Sequence, residues 1–134
     1  MNDILLKVKQ YVVTLLSTKL ENKYIYHSLA HTQRVVSKAK ELTEHAELSE
    51  KHSTLVLIAA WFHDTGFTIK AENHEEESVI IATEFLGTQN ISPEDIKAIC
   101  DIIRATKIEN QPKNELEAFL KDADCAHVSS KNYD

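Results

Sequence analysis

Hydrophobic side chains recur every three or four residues along most of the chain, which is the spacing of amphipathic α-helices. The pattern begins with residues 4–20, which we expect to form the first helix, and residues 21–26 are expected to form a break after it. Further amphipathic helices are predicted over residues 27–46, 74–86, 93–106 and 114–128. We expect the second of these four to bury Ile80 with its other apolar residues.

One more predicted helix, over residues 50–63, differs from the others because it becomes apolar on every side. Residues 55–62 form the most hydrophobic run of the chain and include no charged residue. A helix of this kind is expected at the centre of a bundle. Ser49 is a suitable N-cap for it, and Gly66 is expected to end the segment in a left-handed turn.

The composition favours helix throughout. The chain has 134 residues with only two Gly and two Pro, so few positions interrupt a helix, and it is long enough to bury a sizeable core. We therefore predict an all-α protein in which residues 1–134 form a single domain of about six helices.

Charge and cysteine content exclude several classes of protein. The net charge is -6 and no long Lys/Arg run is present, which excludes duplex nucleic acid as a partner but not a small phosphorylated molecule. Cys100 and Cys125 lack CxxC spacing, so we expect free thiols rather than a disulfide or a zinc knuckle. Neither a signal-peptide core nor a membrane-spanning run is found, so a cytoplasmic protein without a membrane partner is expected.

The candidate chemistry is an adjacent imidazole and carboxylate, His63 and Asp64, directly after the buried run. An isolated pair of this kind can be an ordinary hydrogen bond at a helix end. However, His31 on the second predicted helix and Asp124 on the last are also flanked by apolar residues. Buried charges are costly unless something compensates them, and one shared cation would compensate all four residues.

The ionisable residues also lie within five short motifs. In this order the motifs resemble those of the HD superfamily of metal-dependent phosphohydrolases, over about residues 26–128. They are Tyr26-His27-Ser28-Leu29-Ala30-His31-Thr32, Trp61-Phe62-His63-Asp64, His74-Glu75-Glu76-Glu77-Ser78, Ala105-Thr106-Lys107 and Asp122-Ala123-Asp124.

The resemblance implies an HD-type helical bundle around a metal site, with ligands from His31, His63, Asp64 and Asp124. Asp64 would also orient the nucleophilic water. His74 is the residue that would protonate the leaving oxygen or join a second metal. The later pair of histidines found in two-metal subfamilies is missing from residues 105–108, which favours one metal.

Two cations are candidates for binding the substrate phosphate. Arg34 lies three residues after His31, near the same helix face, but an ordinary surface arginine fits this position almost as well. The resemblance would place Lys107 near the phosphate, and a solvated lysine is the equal alternative.

The expected ligand set of two imidazoles and two carboxylates suits Mn, Fe, Co, Ni or Zn better than Ca, and Mg is also compatible. The predicted function is hydrolysis of a phosphomonoester, nucleotide or phosphodiester by a metal-activated water. Two alternatives stay open: a catalytically silent HD module that binds metal or nucleotide and regulates a partner, and a purely structural helical domain. A homo-oligomer is left open, as is a short or fragmentary chain that lacks C-terminal helices of its relatives.

Overall fold

The computed structural model describes the backbone of residues 2–19, 22–70 and 72–132, and the side chains within 3–19, 28–70 and 72–124. In these ranges the chain forms six α-helices and one short 3₁₀ helix, with no strand, so the all-α prediction is confirmed. The α-helices are α1 (Asn2–Lys19), α2 (Asn22–His45), α3 (Glu50–Phe62), α4 (His74–Gly87), α5 (Pro93–Arg104) and α6 (Glu115–Asn132). The 3₁₀ helix is Thr65–Thr68, between α3 and α4.

Helix α3 is the central element. It packs against all five other α-helices, and nearly all of its side chains from Thr54 onward are buried. Its apolar surface on every side explains this position, because each face has a neighbouring helix to pack against. The residues that follow α3 are therefore held at the middle of the bundle.

Local capping explains where several helices begin. The Ser49 hydroxyl accepts a hydrogen bond from the backbone N–H of His52, as expected for an N-cap of α3. Ser92 accepts from the N–H of Asp95 in the same way, with Pro93 as the first residue of α5.

The expected break over residues 21–26 is wrong, because α2 already begins at Asn22. The segment contains neither Gly nor Pro, and nothing in its sequence prevents helix formation. The side chains of Tyr26 and His27 lie outside the described residues, as does the side chain of Cys125. Cys100 is buried and forms no disulfide.

Two expectations for single residues are also wrong. Gly66 does not adopt a left-handed conformation, since no glycine in the described ranges has a positive φ. It lies instead in the 3₁₀ helix, where its lack of a side chain lets α4 approach closely. Ile80 is 51% exposed rather than buried.

No helix of the described part is long and apolar enough to cross a membrane.

Candidate metal centre

Three helices bring four ionisable side chains together. His31 comes from α2, His63 and Asp64 directly follow α3, and Asp124 comes from α6. The Nε2 atom of His31 lies 3.1 Å from Asp64 Oδ2 and 3.2 Å from Asp124 Oδ1. The Nε2 atom of His63 lies 3.4 Å and 3.6 Å from the same two oxygens. Each of the two imidazole nitrogens therefore lies within 3.6 Å of one oxygen from each carboxylate.

His63 is held in an orientation that suits a metal ligand. Its Nδ1 lies 2.6 Å from the carbonyl oxygen of Ala60, to which it can donate, so its Nε2 faces the two carboxylates. That Nε2 is buried and has no hydrogen-bond partner within the described residues, and the two carboxylate oxygens that face it lie 3.4 Å and 3.6 Å away. A buried polar atom of this kind is costly unless it is satisfied.

A divalent ion fits this donor set. One donor atom from each of His31, His63 and Asp124 lies within 4.8 Å of the other two, which makes this trio a potential metal-binding group. Neutral imidazole and carboxylate are the donors that first-row divalent metals bind. An ion held here would satisfy the buried His63 Nε2.

Charge coupling shifts the pKa values of all four residues. Burial by itself would lower the pKa values of His31 and His63, but Asp64 and Asp124 raise both to about 9. Burial would likewise raise the pKa values of Asp64 and Asp124, but the histidines hold both well below the usual range for aspartate. Without a metal, two imidazolium ions therefore balance two carboxylates at neutral pH.

His74 lies at the edge of this group. Its Nε2 is 3.1 Å from Asp64 Oδ1 and 3.4 Å from Glu75 Oε2, and its ring stacks on Phe67 at 4.0 Å between centroids. Burial would lower the pKa of His74, but the hydrogen bond and charge of Asp64, with the charge of Glu75, raise it. Asp64 therefore directs one oxygen to His31 and His63 and the other to His74.

An open cleft of about 570 Å³ adjoins His74 and includes Lys107 in its lining. The Lys107 ammonium donates to Asn73 Oδ1 (3.2 Å) and pairs with Glu109 (3.4 Å). Arg34 is exposed on α2 and makes no ion pair with any described side chain. The structure therefore places Lys107 and His74 in the lining of one cleft, whereas Arg34 forms no ion pair with the other described candidate residues.

The sequence pattern did not identify several neighbours of the site. Glu75 was identified only as part of a motif, and Phe67 was not assigned a role. Ser78 and Lys121 hold the segments that carry the candidate residues. The one usable signal was that Ser78 lies four residues after His74, on the same face of α4.

Comparison with known proteins gives a structural neighbour and a family match. The curated proteins contain no match to this chain. Among solved structures, the chain is similar to the crystal structure of a predicted HD superfamily hydrolase from an uncultured Thermotogales bacterium. The TM-score is 0.71 at 19% sequence identity, over 92% of this chain and 74% of the other, so this likeness shows a shared fold. The HD domain family model matches residues 28–128, and the chain therefore belongs to the HD domain family.

Proposed function

We propose that the protein is a metal-dependent phosphohydrolase. The observation that carries this proposal is the convergence of His31, His63, Asp64 and Asp124 around a buried imidazole nitrogen that lacks a hydrogen-bond partner among the described residues. A purely structural role would leave that nitrogen without a hydrogen bond in the interior, paired only by charge with carboxylate oxygens at 3.4 Å and 3.6 Å. Membership of the HD domain family and a fold shared with a predicted hydrolase support the same reading.

In this proposal His31, His63, Asp64 and Asp124 hold one divalent ion. When bound, such an ion lowers the pKa of water from about 15.7 toward about 7 and polarises a phosphoryl oxygen. The mixed nitrogen and oxygen donors favour Mn, Fe, Co, Ni or Zn, with Mg also compatible.

Asp64 and His74 would carry the two proton-handling roles. Asp64 lies between the centre and His74, where its carboxylate can accept a hydrogen bond from the attacking water and orient it. His74 would hold a proton on Nε2 for the leaving oxygen, because Asp64 and Glu75 favour its charged form. The stacked Phe67 ring restrains the imidazole plane of His74.

Lys107 would bind the phosphate from the cleft beside His74, since its ammonium lies at the lining of that cleft. Arg34 would also bind the phosphate, from its exposed position on α2 one turn after His31. The substrate class in this proposal is a phosphomonoester, a nucleotide or a phosphodiester.

Metal content and turnover test the proposal together. Wild type and Asp124→Ala are purified in parallel, with Asp122→Ala as a matched control, since Asp122 lies two residues away on α6 and is exposed. Each protein is analysed for bound metals and assayed with manganese on a panel of aryl phosphate esters and nucleotides. We expect about one transition metal per chain and turnover in wild type and Asp122→Ala, and loss of both in Asp124→Ala.

The other outcomes separate the alternatives. Metal binding without turnover on the whole panel would favour the silent regulatory module. Equal metal content in Asp124→Ala and Asp122→Ala would refute the proposed ligand set.

A further inference from the structure

The hydroxyl of Ser78 joins the turn behind the metal centre to α4. Ser78 is fully buried, and its hydroxyl donates to the carbonyl oxygen of His63 at 2.9 Å. The hydroxyl oxygen of Ser78 in turn accepts a hydrogen bond from the backbone N–H of Gly66 at 2.8 Å. One side chain therefore binds the backbone on both sides of Asp64.

Both backbone groups need a partner from outside their own helices. The His63 carbonyl lies at the C-terminal end of α3, and the Gly66 N–H lies in the first turn of the 3₁₀ helix, where intrahelical partners are missing. Buried groups left unpaired at these positions would be costly. The Ser78 hydroxyl satisfies both, which fixes the turn in one conformation.

Gly66 sets how closely this turn approaches α4. A Cβ atom at Gly66 would lie 1.9 Å from the carbonyl oxygen of His74 and 2.8 Å from the backbone nitrogen of Ser78. The backbone of the turn therefore rests directly on the backbone of α4, at the residue whose imidazole reaches Asp64.

We infer that Ser78 is a positioning residue that fixes Asp64 against His74. His74 and Ser78 are four residues apart, so they share one face of α4. His74 contacts the Asp64 carboxylate, while Ser78 holds the backbone that carries it. The catalytic consequence rests on the proposed function, whereas the geometric consequence can be measured without it.

The geometric test compares crystal structures of Ser78→Ala and Thr54→Val. Thr54 is a matched control because it is also a buried hydroxyl with one backbone acceptor, the Glu50 carbonyl in α3, at 2.8 Å. We expect the distance from Asp64 Oδ1 to His74 Nε2 to exceed hydrogen-bonding range in Ser78→Ala. In Thr54→Val it should stay near its present 3.1 Å.

The kinetic test is a double-mutant cycle with His74→Ala. We expect Ser78→Ala to lower kcat on the order of 10- to 100-fold, because displacement of a reacting group by about 1 Å has an effect of that size. KM and metal content should change little. In the His74→Ala background the same substitution should change kcat less than about twofold, because the residue being positioned is already absent.

Each outcome decides the inference. An unchanged distance in Ser78→Ala, or an equal kcat loss in both backgrounds, would show that Ser78 only stabilises the fold. If Ser78→Ala does not fold, Ser78→Cys retains a weaker donor and acceptor and is expected to lengthen the distance by a smaller amount; no lengthening would overturn the inference. If wild type binds metal but hydrolyses nothing, the proposed function fails while the structures still decide the role of Ser78.

Discussion

The buried imidazole of His63 shows how one residue can combine structural and chemical demands. Its Nδ1 is occupied by the Ala60 carbonyl within the same helical turn, so only Nε2 can act at the centre. The neighbouring Asp64 has no such restriction, because one of its oxygens faces His31 and His63 and the other faces His74. An adjacent His and Asp at the end of a buried helix can therefore provide one fixed donor and one bridging carboxylate.

Gly66 provides a stability prediction that depends on a single missing methyl group. Gly66→Ala would force Cβ against the His74 carbonyl, and overpacking against backbone costs on the order of 3 kcal/mol of unfolding free energy. Gly87→Ala is the matched control, because no atom lies within 4 Å of the corresponding Cβ. We expect that control to be neutral or stabilising by up to about 1 kcal/mol.

Urea unfolding of the two glycine variants and wild type measures the difference. A Gly66→Ala protein as stable as Gly87→Ala would mean that the turn and α4 are less closely packed than described.

Contacts between helices also position the segment that carries Lys107, and Lys121 makes two of them. Its ammonium donates from α6 to the carbonyl oxygens of Ala105 (3.1 Å) and Lys107 (2.9 Å), beyond the end of α5. The Ala105 carbonyl lies where the intrahelical donors of α5 have run out, and the Lys107 carbonyl accepts only one backbone bond among the described residues, from Asn110 at 3.0 Å, so a lysine is a suitable partner for both. The segment that carries Lys107 is therefore tied to the helix that carries Asp124.

Lys121→Met should loosen this segment and leave the metal ligands in place. We expect a loss of about 1–2 kcal/mol of unfolding free energy, from the hydrogen bonds of a charged donor. KM for a phosphate ester should rise severalfold with metal content unchanged. Lys97→Met is the control, since Lys97 is exposed and, among the described residues, forms its one ion pair with Asp101 on the surface of α5; its loss should be below about 0.5 kcal/mol. A KM increase of equal size in both variants would contradict the role given to Lys121.

The sequence predicted the helices well where the signal is local. Ser49 and Ser92 cap their own helices through contacts within four residues, so α3 and α5 begin where expected. The start of α2 was missed because an expected break rested on no specific breaker residue. Ile80 was expected inside because apolar character alone does not show which face of α4 has a neighbour to cover it.

The candidate site could be assembled from the sequence only in part. Four residues, His31, His63, Asp64 and Asp124, were identifiable because they lie among apolar neighbours and within motifs that resemble those of the HD superfamily. The structure brings them together. Their roles as ligands stay a proposal. The function of Ser78 depends on how the turn packs against α4, which no local pattern encodes.

Across the whole molecule, the centre links distant parts of the chain. Its residues come from α2, from the end of α3 and from α6, so a bound ion would cross-link elements that separate on unfolding. An ion that binds only the folded state stabilises it by about 2.7 kcal/mol at a free concentration of 100 times Kd. Stability and metal affinity are therefore expected to depend on the same four side chains.

This linkage predicts opposite pH trends for the stability of the metal-free protein and for the stability that a bound metal adds. The pKa values of His31 and His63 are raised to about 9, so the stability they contribute is fully present below about pH 6.5 and is lost as pH rises through about 9. The carboxylates have lowered pKa values, so their contribution is lost only below about pH 3.8. Between pH 6.5 and 8.5 the metal-free protein should therefore become less stable.

The added stability from metal should increase over the same interval, because the ion must displace protons from both imidazoles and fewer protons remain as pH rises. Thermal unfolding at pH 6.5, 7.5 and 8.5, with chelator or with a buffered divalent ion, measures both trends. His31→Ala should flatten them, whereas His52→Ala, which removes an exposed histidine of α3, should behave like wild type. If the metal-dependent increase in Tm were the same at all three pH values, His31 and His63 would not be the residues that exchange protons for metal.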